Sequence, residues 1–183
     1  NYPAHKSLSQ AEFDRAWLNH QAGNSAKAFQ LFTNYVEKFP ANKLAPLAQK
    51  WVADFHFQSG KFSQSEKSYR QIFENTNYLN FSKDLIWEAR LSAARSAFFN
   101  QEYETAQLLL DDIIKATNAP IDEVARAEFY LGDVISEQTD RTPTNLIEAV
   151  VHYQKVAREM TNSSLNTAAW GRMGDCYFQL GNL

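Results

Sequence analysis

Small side chains recur along this chain inside stretches whose apolar residues have helical spacing. The first set of small residues is separated by 37, 41, 38 and 42 positions and comprises Ala16, Ala53, Ala94, Gly132 and Gly174. A second small residue follows after 12, 12, 12 and 17 positions, at Ala28, Ser65, Ala106 and Ala149. A large residue comes four positions later, at Phe32, Tyr69, Leu110 and Tyr153, and three positions beyond it lie Tyr35, Ile72, Ile113 and Val156. A pattern that returns at this interval predicts a repeat protein.

The spacing within each repeat predicts a pair of antiparallel helices. Two helices that pack closely need a small side chain where their axes approach, and a large residue one turn away fills the groove beside it. One pair cannot bury its apolar face alone, so successive pairs are expected to stack. The sequence therefore predicts an all-α protein with about nine helices, over residues 9–22, 25–38, 44–59, 62–76, 83–99, 102–117, 122–138, 144–160 and 165–180.

Turn-forming residues separate the predicted helices. Gly23 and Gly60 fall in the first two turns within a pair, Gln101 lies in the third, and Pro143 suits the start of the helix after the fourth. The predicted organisation is a single array over residues 1–183, with helix pairs at 9–38, 44–76, 83–117 and 122–160 and a lone helix at 165–180. Because the last predicted helix has no partner in the sequence, we expect the chain to be a fragment of a longer protein.

The repeat residues resemble the tetratricopeptide repeat family over nearly the whole chain. The family pattern has Gly or Ala in the first helix, a Gly-Asp or Gly-Asn turn, an Ala and an aromatic residue in the second helix, and a closing Pro. The first repeat matches it with Ala16, Gly23-Asn24, Ala28, Phe32 and Pro40. The resemblance implies a right-handed superhelical solenoid whose first helices line a concave surface that binds ligands.

A narrower resemblance covers residues 28–73. This stretch looks like the repeats of bacterial cell-envelope proteins, including the periplasmic Tol-Pal accessory protein and outer-membrane assembly lipoproteins. The shared features are the Phe39-Pro40 ending, the Ala45-Pro46 helix start and the turn Gly60-Lys61-Phe62. The resemblance implies a periplasmic or outer-membrane-associated location, with a cytoplasmic location as the alternative.

Composition and charge exclude several classes of function. The 183 residues carry a net charge of −3, which disfavours nucleic acid as the main partner because phosphate binding needs a concentrated basic face. No apolar run approaches the roughly 20 residues that a membrane-spanning helix needs. The lone cysteine, Cys176, cannot form an internal disulfide, and the four histidines show no metal-binding spacing. We therefore expect no cofactor, no metal site and no catalytic residues.

The concave face of the implied solenoid gives a candidate binding site. When the positions that meet ligands in the family are carried onto this sequence, they predict a groove for a peptide or helix of another protein. The predicted groove residues are Phe13, Trp17, His20, Lys50, Asp54, Phe57, Leu91, Arg95, Phe98, Arg126, Phe129, Asp133 and Phe178. The alternative is that some of these rings fill the inner curve of the superhelix and bind nothing.

The leading hypothesis is a non-catalytic protein-interaction scaffold, in which aromatic residues supply most of the affinity and charges of both signs set the alignment. The alternative is an accessory region of a larger enzyme or envelope assembly machine that packs against its own neighbouring domain. A third possibility is an enzyme that acts on glycans, for which Glu88 and Asp133 are the candidate carboxylates.

Overall fold

A computed structural model describes residues 3–79, 83–138 and 142–181, with side chains from residue 8 onward. In this part of the chain every regular element is a helix, so the predicted all-α class is confirmed. The elements are α1 (Pro3–Gln21), α2 (Ser25–Lys38), α3 (Ala45–Gln58), α4 (Phe62–Glu74), α5 (Lys83–Phe99), α6 (Tyr103–Lys115), α7 (Ile121–Ser136), α8 (Pro143–Gln154), a π-helical turn (Lys155–Glu159) and α9 (Asn166–Gln179).

The predicted helix boundaries lie within two residues of those observed at most ends. The first exception is α1, which begins at Pro3 and not at residue 9. The second is the last turn of the helix predicted to end at residue 160, which is π-helical. In the π-helical turn the backbone N–H of Met160 donates to the carbonyl of Lys155, five residues earlier. The side-chain nitrogen of Asn166 donates to the carbonyl of Ala157 over 2.6 Å.

Three helix pairs are joined by the same tight turn. Each turn contains one residue with positive φ, namely Gly23 at 77°, Gly60 at 70° and Gln101 at 61°. Glycine adopts this conformation without a steric penalty, whereas a residue with a Cβ atom is strained by it. The fourth connection includes residues 139–141, which lie outside the described part, and it ends with Thr142, whose hydroxyl accepts a hydrogen bond from the backbone N–H of Asn145.

The side chains that join the two helices of a pair show that the pairs are antiparallel. In the second pair, Gln49 on α3 donates to the carbonyl of Ser68 on α4, whereas Ala53, one turn later on α3, accepts from the hydroxyl of the earlier residue Ser65. Contacts thus move backwards along α4 as they move forwards along α3. This is the arrangement that the repeat pattern predicts.

The small residues of the repeat pattern lie in the helix contacts, as expected. The first small residues Ala16, Ala53, Ala94 and Gly132, in α1, α3, α5 and α7, are buried. The second small residues of the four repeats are also buried, and so are the large residues four positions after them. Gly132 shows how close the approach is, because a Cβ atom built there would lie 2.6 Å from the ring of Tyr153. Gly174 on α9 differs from the other four, since it is exposed and has open space around its Cα.

The chain divides into two compact units, one of residues 1–89 and one of residues 90–183, and α5 contributes to both. In the first unit α2 packs on α1 and α3, and α4 packs on α3. In the second unit α7 packs on α6 and α8, and α9 packs on α8 and the π-helical turn. The fold of each unit is therefore that of helices stacked in sequence order, as in a helical solenoid. The continuity of one array over residues 1–183 stays a prediction.

None of the described helices is long and apolar enough to cross a membrane.

Candidate functional site

An open groove of about 550 Å³ lies between α1, α2 and α3 of the first unit. Residues of α1 and α2 form one wall, comprising Phe13, Asp14, Trp17, His20, Ser25 and Phe32. Residues of α3 form the other wall, comprising Leu47, Lys50, Trp51, Asp54, Phe55 and Gln58. The α3 residues are spaced three or four apart or directly adjacent, which places them along one face of a helix.

Aromatic rings run across the groove in an unbroken series of contacts. The imidazole of His20 lies between two indoles, with its ring centroid 5.3 Å from that of Trp17 and 5.3 Å from that of Trp51. Trp51 in turn lies 4.7 Å from Phe32 and stacks at 5.6 Å on Phe55. Ring contacts at these distances and angles stabilise a fixed arrangement. The groove is therefore lined by rings that hold one another in place.

Two of these apolar lining residues remain substantially in solvent. Trp17 is 43% exposed and Leu47 is 46% exposed. A large apolar side chain in water is ordinary when it stands alone, but a set of them around a concave surface is typical of a binding site.

A network of charged groups closes one side of the groove. The Lys50 ammonium lies 2.9 Å from a carboxylate oxygen of Asp54 and 3.2 Å from one of Glu88, and the hydroxyl of Tyr69 donates to Asp54. Burial alone lowers the pKa of Lys50, but the hydrogen bonds and charges of Asp54 and Glu88 outweigh burial and raise it. Lys50 is therefore a cation whose charge is already matched by carboxylates.

The second unit contains a smaller cavity of about 290 Å³ that is lined by Arg95, Phe98, Tyr130, Asp133 and Arg172, among others. The guanidinium of Arg95 lies over the ring of Tyr130, 5.5 Å from its centroid, and the Nε atom of Arg172 lies 3.1 Å from Asp133. This cavity combines cations with aromatic rings.

Asp133 contributes a carboxylate to this cavity. The hydroxyl of Tyr153 donates to it over 2.8 Å. Burial raises the pKa of Asp133, and the hydrogen bond from Tyr153 and the charge of Arg172 only partly offset that effect. Burial and the Asp133 charge in turn raise the pKa of Tyr153. Repeats two and four thus share a tyrosine–aspartate pair, Tyr69–Asp54 and Tyr153–Asp133.

The predicted groove residues of the first unit come together, with one exception. Phe13, Trp17, His20, Lys50 and Asp54 all line the same groove. Phe57 does not line it, because its ring packs edge-on against Phe62 at 5.4 Å.

The predicted groove residues of the second unit are divided among different surroundings. Arg95, Phe98 and Asp133 line the cavity described above, and Phe178 lines a separate cavity of about 170 Å³ beside Glu137, Tyr153 and Asp175. Arg126 is exposed and pairs with Glu123 at 3.3 Å. Leu91 and Phe129 are only 6% and 7% exposed, so they lie in the core of the unit and not on a groove surface.

Sequence reasoning missed three of the most prominent groove residues, Leu47, Trp51 and Phe55. Their spacing of four residues along α3 places them on one face of the helix, but that spacing alone does not distinguish a groove wall from a core face. Trp51 and Phe55 lie beside Lys50 and Asp54 on α3, so the face that meets the groove is wider than the one predicted.

Other ionisable groups are held in structural contacts. Glu128, which is 2% exposed, lies 2.6 Å from the Nδ1 atom of His152 and 2.9 Å from the Nζ atom of Lys155. Cys176 is buried, and burial raises the pKa of its thiol, which makes it a poor nucleophile. Within the described ranges no three histidine, cysteine, aspartate or glutamate side chains are grouped so that they could hold a metal ion.

Comparison with known protein families finds none that matches the chain, and comparison with curated proteins finds no similar relative.

Proposed function

We propose that this chain is a non-catalytic protein-interaction scaffold of the tetratricopeptide-repeat type, and that it binds a peptide or helix of a partner protein in the groove of the first unit. The observation that carries the proposal is the concave series of aromatic rings around Trp17, His20 and Trp51. Aromatic anchors in a preformed hollow are typical of the residues that dominate binding energy at protein interfaces.

The dimensions and rigidity of the groove support a peptide-like ligand. A volume of about 550 Å³ accommodates a few side chains. The rings contact one another before any ligand arrives, so little ordering entropy is lost on binding. The net charge of −3 favours a protein over a nucleic acid as the partner.

The test is selection from a library of random dodecapeptides displayed on phage, with the purified chain as bait. Peptides that bind should be lost when the bait carries Trp17→Ala. They should be retained with Trp170→Ala, which removes an indole of similar exposure, 47%, from α9 in the second unit. Circular dichroism checks that both variants keep their helices. A failure to enrich any peptide that depends on Trp17 would contradict the proposal.

A bacterial envelope location is part of the proposal and rests on the resemblance of residues 28–73 to envelope repeats. Fractionation of the bacterial host followed by immunoblotting tests it. We expect the protein in the periplasmic or outer-membrane fraction, and recovery with cytoplasmic enzymes would refute this part.

A second candidate is an accessory region that packs against a neighbouring domain of a larger protein. The exposed face of α9 favours it, because Phe178 is 67% exposed and Gly174 has open space beside it. Hydroxyl-radical footprinting compares Phe178 in this chain with Phe178 in the protein purified from its host. Protection in the host protein supports this candidate, and equal oxidation contradicts it.

A further inference from the structure

The charges around the groove of the first unit restrict what it can bind. The charged residues that line it are Asp14, Lys50 and Asp54, and Glu88 contacts Lys50 from α5. Three carboxylates thus accompany one ammonium group. Because Lys50 is already engaged by Asp54 and Glu88, it offers little to an anionic ligand, and the net field at this groove is negative.

Asp14 is the carboxylate best placed to act on a ligand. It is exposed at the groove, and its Oδ1 atom accepts a hydrogen bond of 2.8 Å from the side-chain amide of Gln10. That partner is neutral and does not balance the charge of Asp14, and no cation is paired with Asp14 among the side chains described from residue 8 onward. Asp14 lies about one helical turn before Trp17 and nearly two turns before His20, and all three side chains line the groove.

The aromatic rings of the groove also favour a positively charged ligand. The face of an indole attracts a cation through its quadrupole, and tryptophan is the strongest of the aromatic residues in this respect. The chain uses this contact elsewhere, with Lys38 over Phe39 at 5.2 Å and Arg158 over Trp170 at 5.6 Å. In the described part of the chain, no lysine or arginine is seen over Trp17 or Trp51.

We propose that the groove selects a segment of a partner protein that carries an arginine or lysine, and that it holds the cationic group against the exposed indole of Trp17 beside Asp14. Apolar side chains next to that residue occupy the hollow formed by Phe13, Phe55 and Leu47. This inference rests on the proposed function and adds the chemical class of the partner segment.

The first test examines the composition of the dodecapeptides selected on the unmodified chain. Peptides that bind only when Trp17 is present should be enriched in arginine and lysine and depleted in aspartate and glutamate. Peptides that depend on Trp17 but have no excess of basic residues would overturn this inference and leave the proposed function standing. A selection that yields no peptide dependent on Trp17 would overturn both.

The second test replaces the basic residue of the strongest selected peptide. Citrulline has nearly the shape of arginine without its charge, so the citrulline peptide should bind about tenfold more weakly when measured by fluorescence anisotropy. Equal affinity of the two peptides would contradict the inference.

The variant Asp14→Asn tests whether the preference is local to the groove. It should reduce the difference between the arginine and citrulline peptides to about threefold. The matched control is Glu37→Gln, which removes one exposed carboxylate of the same unit outside the groove and should keep the full difference. If both variants reduce the difference equally, the preference comes from the general negative charge of the chain and the proposal is wrong.

Discussion

Gly132 and Gly174 hold the same place in successive repeats but have opposite surroundings, so the same substitution should change stability in opposite directions. At Gly132 the Cβ atom of alanine would lie 2.6 Å from Cε1 and 2.7 Å from Cζ of Tyr153. Tyr153 is 1% exposed, and its hydroxyl is held by Asp133, so the ring has little freedom to move aside. At Gly174 the new Cβ atom meets nothing within 4 Å.

The expected changes in the free energy of unfolding follow from three contributions. Overpacking a core costs about 1–3 kcal/mol. Weakening the hydrogen bond from Tyr153 costs about 1 kcal/mol more. Replacing glycine by alanine inside a helix stabilises the helix by about 1 kcal/mol. Gly132→Ala should therefore lower the free energy of unfolding by about 2 kcal/mol, whereas Gly174→Ala should raise it by about 1 kcal/mol.

Urea unfolding followed by circular dichroism measures both effects. Both glycines belong to the second unit, so the two variants are read from the same unfolding transition. A double variant, Gly132→Ala with Tyr153→Leu, should recover part of the loss, because repeat three combines Ala94 with Leu110 at these places. If Gly132→Ala stabilises the chain as much as Gly174→Ala, the close helix contact is wrong.

Two further predictions concern stability. Burial alone raises the pKa of Glu128, but His152 and Lys155 outweigh it and lower the pKa, so the Glu128 contacts stabilise the fold above the usual carboxyl range. That stability is lost as pH falls through the lowered pKa. Glu128→Gln should lower the free energy of unfolding by about 3 kcal/mol at neutral pH. Urea midpoints measured as a function of pH should then lose this part of their fall at acidic pH. An unchanged pH dependence of the urea midpoint would contradict the assignment. Gln101→Gly should stabilise the third turn by about 0.5 kcal/mol because φ is positive there, and Gly60→Ala should destabilise the second turn for the same reason. Thermal melts measure both variants. A lower melting temperature for Gln101→Gly and a higher one for Gly60→Ala would refute the claim that positive φ strains residues other than glycine.

The helix pairs could be predicted from the sequence because their signals are local or periodic. A small residue every 37 to 42 positions and a turn residue between helices are read directly from the chain. The start of α1 was missed because the residues before Ser9 have no clear apolar face. In the structure Ser9 is 4% exposed and accepts a hydrogen bond from the side chain of Asn42, a contact between distant parts of the sequence.

The candidate site was predictable only in part. Phe13, Trp17 and His20, which the sequence places on one face of α1, line one groove. No periodic signal separates a groove-lining ring such as Trp51 from a core ring. The buried position of Glu128 was not predictable, because a charged residue on a helix ordinarily indicates solvent exposure. Its partners come from α8 and the π-helical turn, and only tertiary packing brings them to it.

The most direct test of the account is a nuclear magnetic resonance titration with the strongest selected peptide. The chain contains four tryptophans, and each indole N–H group gives its own signal. Binding in the groove of the first unit should shift the signals of Trp17 and Trp51 and leave that of Trp170 unchanged. A peptide that binds while the Trp17 and Trp51 signals stay in place would contradict the central claim that this aromatic groove is the binding site.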